Sequence, residues 1–153
     1  MRVSRKMLSN VFAVTGLLGV LAASYGPGLI NGSKLTVHVT GIRNTDGTIH
    51  LLLYDRATAF ENASDIGVAT YMTRGAKSGD MEFRFARLVP GDYAIFVHHD
   101  ENASNTYDAD ATQFEGYGYS RNVGLWDTPS FKAAAISLPN KDGLAAITMI
   151  YPE

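Results

Sequence analysis

Oxygen-bearing side chains crowd the stretch after His99, among them Asp100, Asn102, Ser104, Asp108 and Asp110. Counting Asp100 as one, oxygens fall at positions one, three, five and nine, the spacing by which a loop wraps a hard cation such as Ca²⁺. Asn105 stands at position six, where a calcium loop has glycine; asparagine also accepts the left-handed backbone needed there. Position twelve, which supplies a bidentate glutamate in such loops, is Ala111, and Glu115 can replace it only if the chain curls back. Asp100, Asn102, Ser104 and Asp108 are therefore a half-matched set of metal ligands, with Ca²⁺ as the ion. Asx-turns, in which a short side-chain oxygen accepts a nearby backbone N–H, account for the same residues.

Residues 99–130 also carry Tyr107, Phe114, Tyr117, Tyr119 and Trp126, the last being the only tryptophan. Segments beyond about 15 residues without regular structure are uncommon in compact domains and tend to be functional or disordered. This one is too aromatic for disorder. Aromatic faces give large contact area at low rotamer cost, so Tyr117, Tyr119 and Trp126, together with His99, are candidate ligand-binding residues for a small molecule, a glycan or a protein. The alternative is that the rings pack the segment onto the domain, since ordering so long a stretch needs buried apolar area to offset its entropy.

Acid–base and nucleophilic chemistry finds little support. His98 and His99 adjoin at a strand end, so they point to opposite faces and do not readily share a metal; His99 is placed to orient the acidic loop. His38 and His50 are expected on paired strands, with His38 opposite Asp55 as a surface cross-strand pair. Ser120 sits in Gly118-Tyr119-Ser120-Arg121 with no base placed by sequence. A hydrolase using Asp100, Glu101 or His99 would need a concave pocket and perturbed carboxylates beside them. With no cysteine, thiol catalysis and cysteine–zinc sites are excluded.

The elements that must position these residues are mostly strands. Leu35, Val37 and Val39 alternate with Thr36, His38 and Thr40, as in a strand with one buried face. Asn44-Thr45-Asp46-Gly47 predicts a hairpin turn into a second strand, Thr48 to Asp55. Residues 56–64 read as a short helix, and a strand is expected around Val68 to Met72. Met81, Phe83 and Phe85 alternate again; Leu88-Val89-Pro90-Gly91 predicts a type II turn with glycine at positive φ, followed by a strand from Asp92 to His98. Residues 99–130 show no clear regular element. Ala133 to Leu138 and Leu144 to Tyr151 read as the last strands. About seven short strands separated by turns predict an all-β fold, an antiparallel β-sandwich over residues 33–153.

Upstream lie Arg2, Arg5 and Lys6, the 13-residue run Val11 to Ala23, and small or turn-forming residues from Ser24. These are the three zones of a secretory signal, and the run is shorter than the about 20 apolar residues that a membrane crossing needs. Residues 1–24 are expected to be a signal peptide cleaved near Ser24, residues 25–32 a linker, and the product periplasmic or secreted, with no stable membrane span. Without residues 1–24 the chain keeps 10 basic and 15 acidic residues, net −5, which argues against a nucleic-acid surface.

Three loop motifs, His99-Asp100-Glu101-Asn102, Tyr117-Gly118-Tyr119-Ser120 with Asn122, and Pro129-Ser130-Phe131 with Ala134, resemble the signature of small exported bacterial proteins catalogued as domain of unknown function 2141. The Leu-Val-Pro-Gly-Asp-Tyr stretch at 88–93 and the first strand, from Leu35-Thr36-Val37 through Gly41-Ile42-Arg43 to Gly47, match as well. The resemblance covers roughly residues 33–151. It implies an immunoglobulin-like or transthyretin-like sandwich outside the cytoplasm, and no assigned activity. That family's usual loop reads His-Asp-Glu-Asn-Gly-Asn-Gly with a further Asp; here Ala103-Ser104-Asn105 replaces Gly-Asn-Gly. The resulting expectation is an exported, non-enzymatic binding or structural module with its recognition surface on residues 99–130. A weak Ca²⁺-binding sandwich and a periplasmic hydrolase are the alternatives.

Overall fold

The alternation of Leu35, Val37 and Val39 commits the first strand to one buried face, and β1 (Ser33–Ile42) places all three side chains inside the molecule. The computed structural model describes residues 32–63, 68–107, 109–110, 113–124 and 127–152. The expected signal peptide, residues 1–24, and its expected cleavage near Ser24 lie outside the described residues. After β1 come β2 (Thr48–Tyr54), α1 (Ala57–Glu61), β3 (Val68–Gly75), β4 (Gly79–Leu88) and β5 (Gly91–Asp100). Then follow β6 (Ala109–Asp110), β7 (Gln113–Phe114), β8 (Gly116–Tyr119), a 3₁₀ turn (Ser120–Asn122), α2 (Phe131–Ala134), β9 (Ile136–Leu138) and β10 (Gly143–Thr148).

The strands form a β-sandwich. One sheet has the order β10-β1-β4 and the other β3-β2-β5-β8, with β9 continuing along the edge of β5 that β8 leaves open; β6 and β7 make a separate small ribbon. Leu35, Val37, Val39, Phe83, Phe85 and Ile147 from the first sheet meet Ile49, Leu51, Leu53, Ile95 and Val97 from the second. Fully burying side chains of this size contributes about 1.5–3 kcal/mol each. Among the described residues no helix is long and apolar enough to cross a membrane.

The Asp46-Gly47 turn does not close a hairpin. β1 and β2 belong to different sheets, so the turn carries the chain across the interior and sets the two apolar faces against each other. Gly47 has φ 61°, and a Cβ there would collide with the Asp100 carbonyl oxygen, so only glycine fits the crossing. His38 consequently faces Glu82 on β4, at 3.2 Å, rather than Asp55, and His50 pairs with His98 on β5. β1 pairs antiparallel with β4 but parallel with β10, the one parallel pairing among the described residues.

Smaller differences follow from the same packing. Gly91 begins β5 and is not among the glycines at positive φ, so the 88–91 turn is not the type II turn that Pro-Gly suggests. Residues 131–134 are helical rather than extended, because the Ser130 hydroxyl accepts the Ala133 N–H and caps a turn. The helix at 56–64 shortens to α1, and the strand near 68–72 lengthens to Gly75.

Candidate functional site

β5 presents its residues alternately to the two faces of its sheet. Tyr93, Ile95, Val97 and His99 point into the sandwich, whereas Ala94, Phe96, His98 and Asp100 point to the outer face. The two adjacent histidines therefore serve different environments, as their spacing predicts. Residues 99–130, which look irregular in sequence, return along this outer face and add β8 to the edge of the sheet, with Tyr117 beside His98 and Tyr119 beside Phe96.

The returning segment brings its own apolar core. Tyr54, Phe60, Ala94, Tyr117, Tyr119 and Ala134 are buried together on the outer face. Ring contacts run from Phe131 to Phe60 at 6.1 Å, Phe60 to Tyr119 at 5.8 Å, Tyr119 to Tyr117 and Tyr117 to Tyr107 at 5.9 Å each, and Tyr107 to His98 at 5.4 Å. Edge-to-face pairs at such separations add about 0.5–1.5 kcal/mol beyond area burial. Tyr117 and Tyr119 are only 8% and 4% exposed, so their rings pack the segment rather than face solvent. Trp126 lies outside the described residues.

Beside this aromatic core, two histidines and two carboxylates share a buried polar layer. His50 and His98 stack with ring centroids 5.6 Å apart. His98 Nε2 donates to Glu115 Oε2 at 2.7 Å, and Glu115 Oε1 accepts the Glu101 backbone N–H at 3.1 Å. His50 Nε2 lies 3.4 Å from Asp100 Oδ2, and Nδ1 is 2.6 Å from the Thr73 hydroxyl. Burial, then the neighbouring His98, hold the His50 imidazole below its ordinary pKa against the opposing pull of Asp100.

The oxygen-rich positions are engaged within the loop. Asp100 Oδ1 accepts the Ser104 N–H at 3.0 Å, and Oδ2 accepts the Asn105 N–H at 2.9 Å. Asn102 Oδ1 accepts the Ser104 N–H as well, and the Ser104 hydroxyl lies 2.9 Å from that of Thr106. Asn105 does take the left-handed conformation, at φ 59°. These are the Asx-turns that the residue types allow. Among the described residues no group of three or more His, Asp or Glu side chains could hold a metal ion; Asp108 lies outside them. Glu115 does curl back, but onto His98 and the Glu101 amide.

His99 does not orient the acidic loop. It is fully buried, and its Nε2 lies 2.8 Å from the Asp46 carbonyl oxygen, which can only accept; the Nε2 proton is thereby fixed. Nδ1 then accepts the Tyr151 hydroxyl at 2.8 Å, and that oxygen accepts the Arg43 N–H at 3.2 Å. The histidine thus braces the β1–β2 crossing against the C-terminal segment. Arg43 extends the brace: its guanidinium sits 4.4 Å from the Tyr151 ring centroid and grips Glu101 through Nε at 2.8 Å and Nη2 at 2.5 Å. Burial raises the Glu101 pKa, but the Arg43 and Asn44 hydrogen bonds and the Arg43 charge outweigh it, leaving the carboxyl below its ordinary range. Ser120 is equally committed, accepting the Ile95 N–H at 2.9 Å and donating to the Ala134 carbonyl at 2.6 Å.

The sequence reading missed Arg43, Thr73 and the histidine role of Glu115. Only Arg43, a lone cation beside the turn, carried a local signal. The tip of the loop is accessible, with Asn102, Ala103, Ser104 and Asn105 exposed; further along the segment Arg121, Asn122, Asp127 and Ser130 are exposed as well.

No curated protein matches the chain. Among solved structures, a pilus-presented adhesin aligns at 16% identity with a TM-score of 0.33, over 79% of this chain and 27% of that one. The chain thus spans about a quarter of that protein's length. Residues 37–145, from the middle of β1 into β10, match the family model described as an uncharacterized protein conserved in bacteria, DUF2141, and the chain belongs to that family.

Proposed function

We propose that this protein is an exported, non-enzymatic binding module whose recognition surface is the outward side of residues 99–130. One observation carries the reading: Asp100 and Glu115 each bind a loop N–H and contact a sheet histidine, so the exposed 102–105 tip is held on a fixed base. Binding loops positioned by a rigid β scaffold work in this way. Export rests on the cationic, apolar and small-residue zones of residues 1–24. Trp126 is proposed to belong to the same surface. Tyr117 and Tyr119 support it from beneath, being buried on the outer face, whereas His99 faces the interior and takes no part in it.

The full chain, produced in a bacterial host, tests both parts. Periplasmic fractionation and N-terminal sequencing are expected to give a product beginning near Tyr25; a product retaining Met1 in the cytoplasm defeats the export reading. Purified peptidoglycan and a glycan array serve as probes for recognition. Trp126→Ala and Asn102→Ala are expected to abolish capture with the circular dichroism spectrum unchanged. Capture that survives both substitutions places recognition elsewhere.

A further inference from the structure

Where β1 begins, β4 carries one residue more than its partner. Ser33 stands opposite Leu88 and Leu35 opposite Phe85, so Lys34 faces both Ala86 and Arg87. A bulge of this kind puts one residue in the left-handed region, where glycine is the usual occupant. Here the occupant is Arg87, at φ 61°. Gly32 lies against it so closely that a Cβ on residue 32 would stand 2.5 Å from the Arg87 carbonyl carbon.

The bulge breaks the in–out alternation of β4 and leaves Ala86 and Arg87 both exposed. Arg87 thereby joins Lys34 and Lys141 around an open cleft of about 310 Å³. The 139–142 turn that brings Lys141 there is pinned to β1 by the Ser33 hydroxyl, which donates to the Pro139 carbonyl at 2.7 Å. Among the described residues, Asp142 is the only acid lining the cleft. The ion pairs among the described residues involve His38, Arg43, His50, Arg56, Arg84 and His98, so none of the three cleft cations is held by a carboxylate. Without residues 1–24 the chain is net −5, so a positively charged end runs against its overall charge. Arginine thus stands at a backbone position where glycine would relax the chain.

We propose that the Lys34–Arg87–Lys141 cleft binds an anionic phosphate group. The planar Arg87 guanidinium forks onto two phosphate oxygens, and the ammonium groups of Lys34 and Lys141 neutralise the remaining charge. Soluble phosphate and the headgroup of an anionic phospholipid offer the same chemistry.

The full chain, ¹⁵N-labelled, is titrated with inorganic phosphate. Saturable amide shifts confined to residues 32–34, 86–88 and 140–142 are expected. Arg87→Gly is expected to raise the melting temperature by relieving the bulge while weakening phosphate binding about threefold or more, the scale of one exposed charge contact. Lys141→Ala weakens binding similarly, and Lys77→Ala, outside the cleft, leaves it unchanged. In a parallel arm, sedimentation with phosphatidylglycerol vesicles but not with phosphatidylcholine vesicles, lost in Arg87→Gly, assigns the phosphate to a lipid headgroup. Binding of inorganic phosphate alone assigns it to a soluble ligand. Absence of binding to either probe, an Arg87→Gly variant that binds as well as the parent, or equal weakening by Lys77→Ala overturns the proposal.

Discussion

Replacing Glu115 by alanine tests whether the buried polar layer holds residues 99–130 in place. Glu115 is 2% exposed and accepts from both His98 Nε2 and the Glu101 amide, at 2.7 and 3.1 Å. Truncation strands two buried donors, each worth about 1–3 kcal/mol when left unsatisfied. At about 2 kcal/mol for each donor, a total of about 4 kcal/mol follows. Against a domain stability of about 5–15 kcal/mol, the variant remains folded but much weakened. Urea unfolding followed by tryptophan fluorescence measures the loss, and the melting temperature should fall by about 10–20 °C. Glu115→Gln keeps an acceptor oxygen and the shape, and is expected to lose about 1–2 kcal/mol. A double-mutant cycle with His98→Ala should give a coupling of about 1–3 kcal/mol. A Glu115→Ala variant within about 0.5 kcal/mol of the parent, the range of ordinary surface substitutions, refutes the reasoning.

Acid should weaken the fold in two steps. The His50 pKa is lowered on folding, so its contribution is complete above the unfolded value of about 6.5 and is lost as pH falls through the folded value. The Glu101 pKa is also lowered, so its contribution is complete above about 4.3 and is lost below that. Urea midpoints measured across pH should lose the first step in His50→Gln and the second in Glu101→Gln; steps that persist in those variants belong to other groups. Ser120→Ala strands the Ile95 N–H and should cost about 1–3 kcal/mol in urea unfolding; a parent-like midpoint would show that the hydroxyl bridge carries little. Melting temperatures in EDTA and in about 1 mM Ca²⁺ should coincide, because Asp100 and Asn102 already accept loop amides. A calcium site saturated a hundredfold would instead add about 2.7 kcal/mol.

The strands were legible because their period of two is written into Leu35, Val37, Val39 and Met81, Phe83, Phe85, and burial follows that period residue by residue. Pairing was not legible. Asp46-Gly47 favours the same tight reversal whether the next strand lies beside the last or across the interior, and the choice is made by distant partners, β4 and β10, that claim both edges of β1. β8 escaped notice for a related reason: Gly116 and Gly118 depress strand propensity, yet side chains there would collide with Tyr151 and Ile147. At the candidate site, the oxygen spacing and the left-handed Asn105 were readable. That Asp100 and Glu115 would face histidines on the sheet was not, since it depends on how the segment folds back over His50 and His98.

The parallel partnership of β1 with β10 makes the molecule a latch closed by its last ribbon. Leu35 waits for Gly143, and Thr40 for Thr148, so the central strand of the smaller sheet stays half-paired until residues 143–148 are present. Contacts between such remote positions slow folding, since loop closure must precede any gain from pairing. A chain emerging from its N-terminus can build β2 and β3 early, but it cannot seal the sandwich until β10 has emerged. Loss of β10 would remove the clasp, exposing one whole side of β1 to pairing with other molecules.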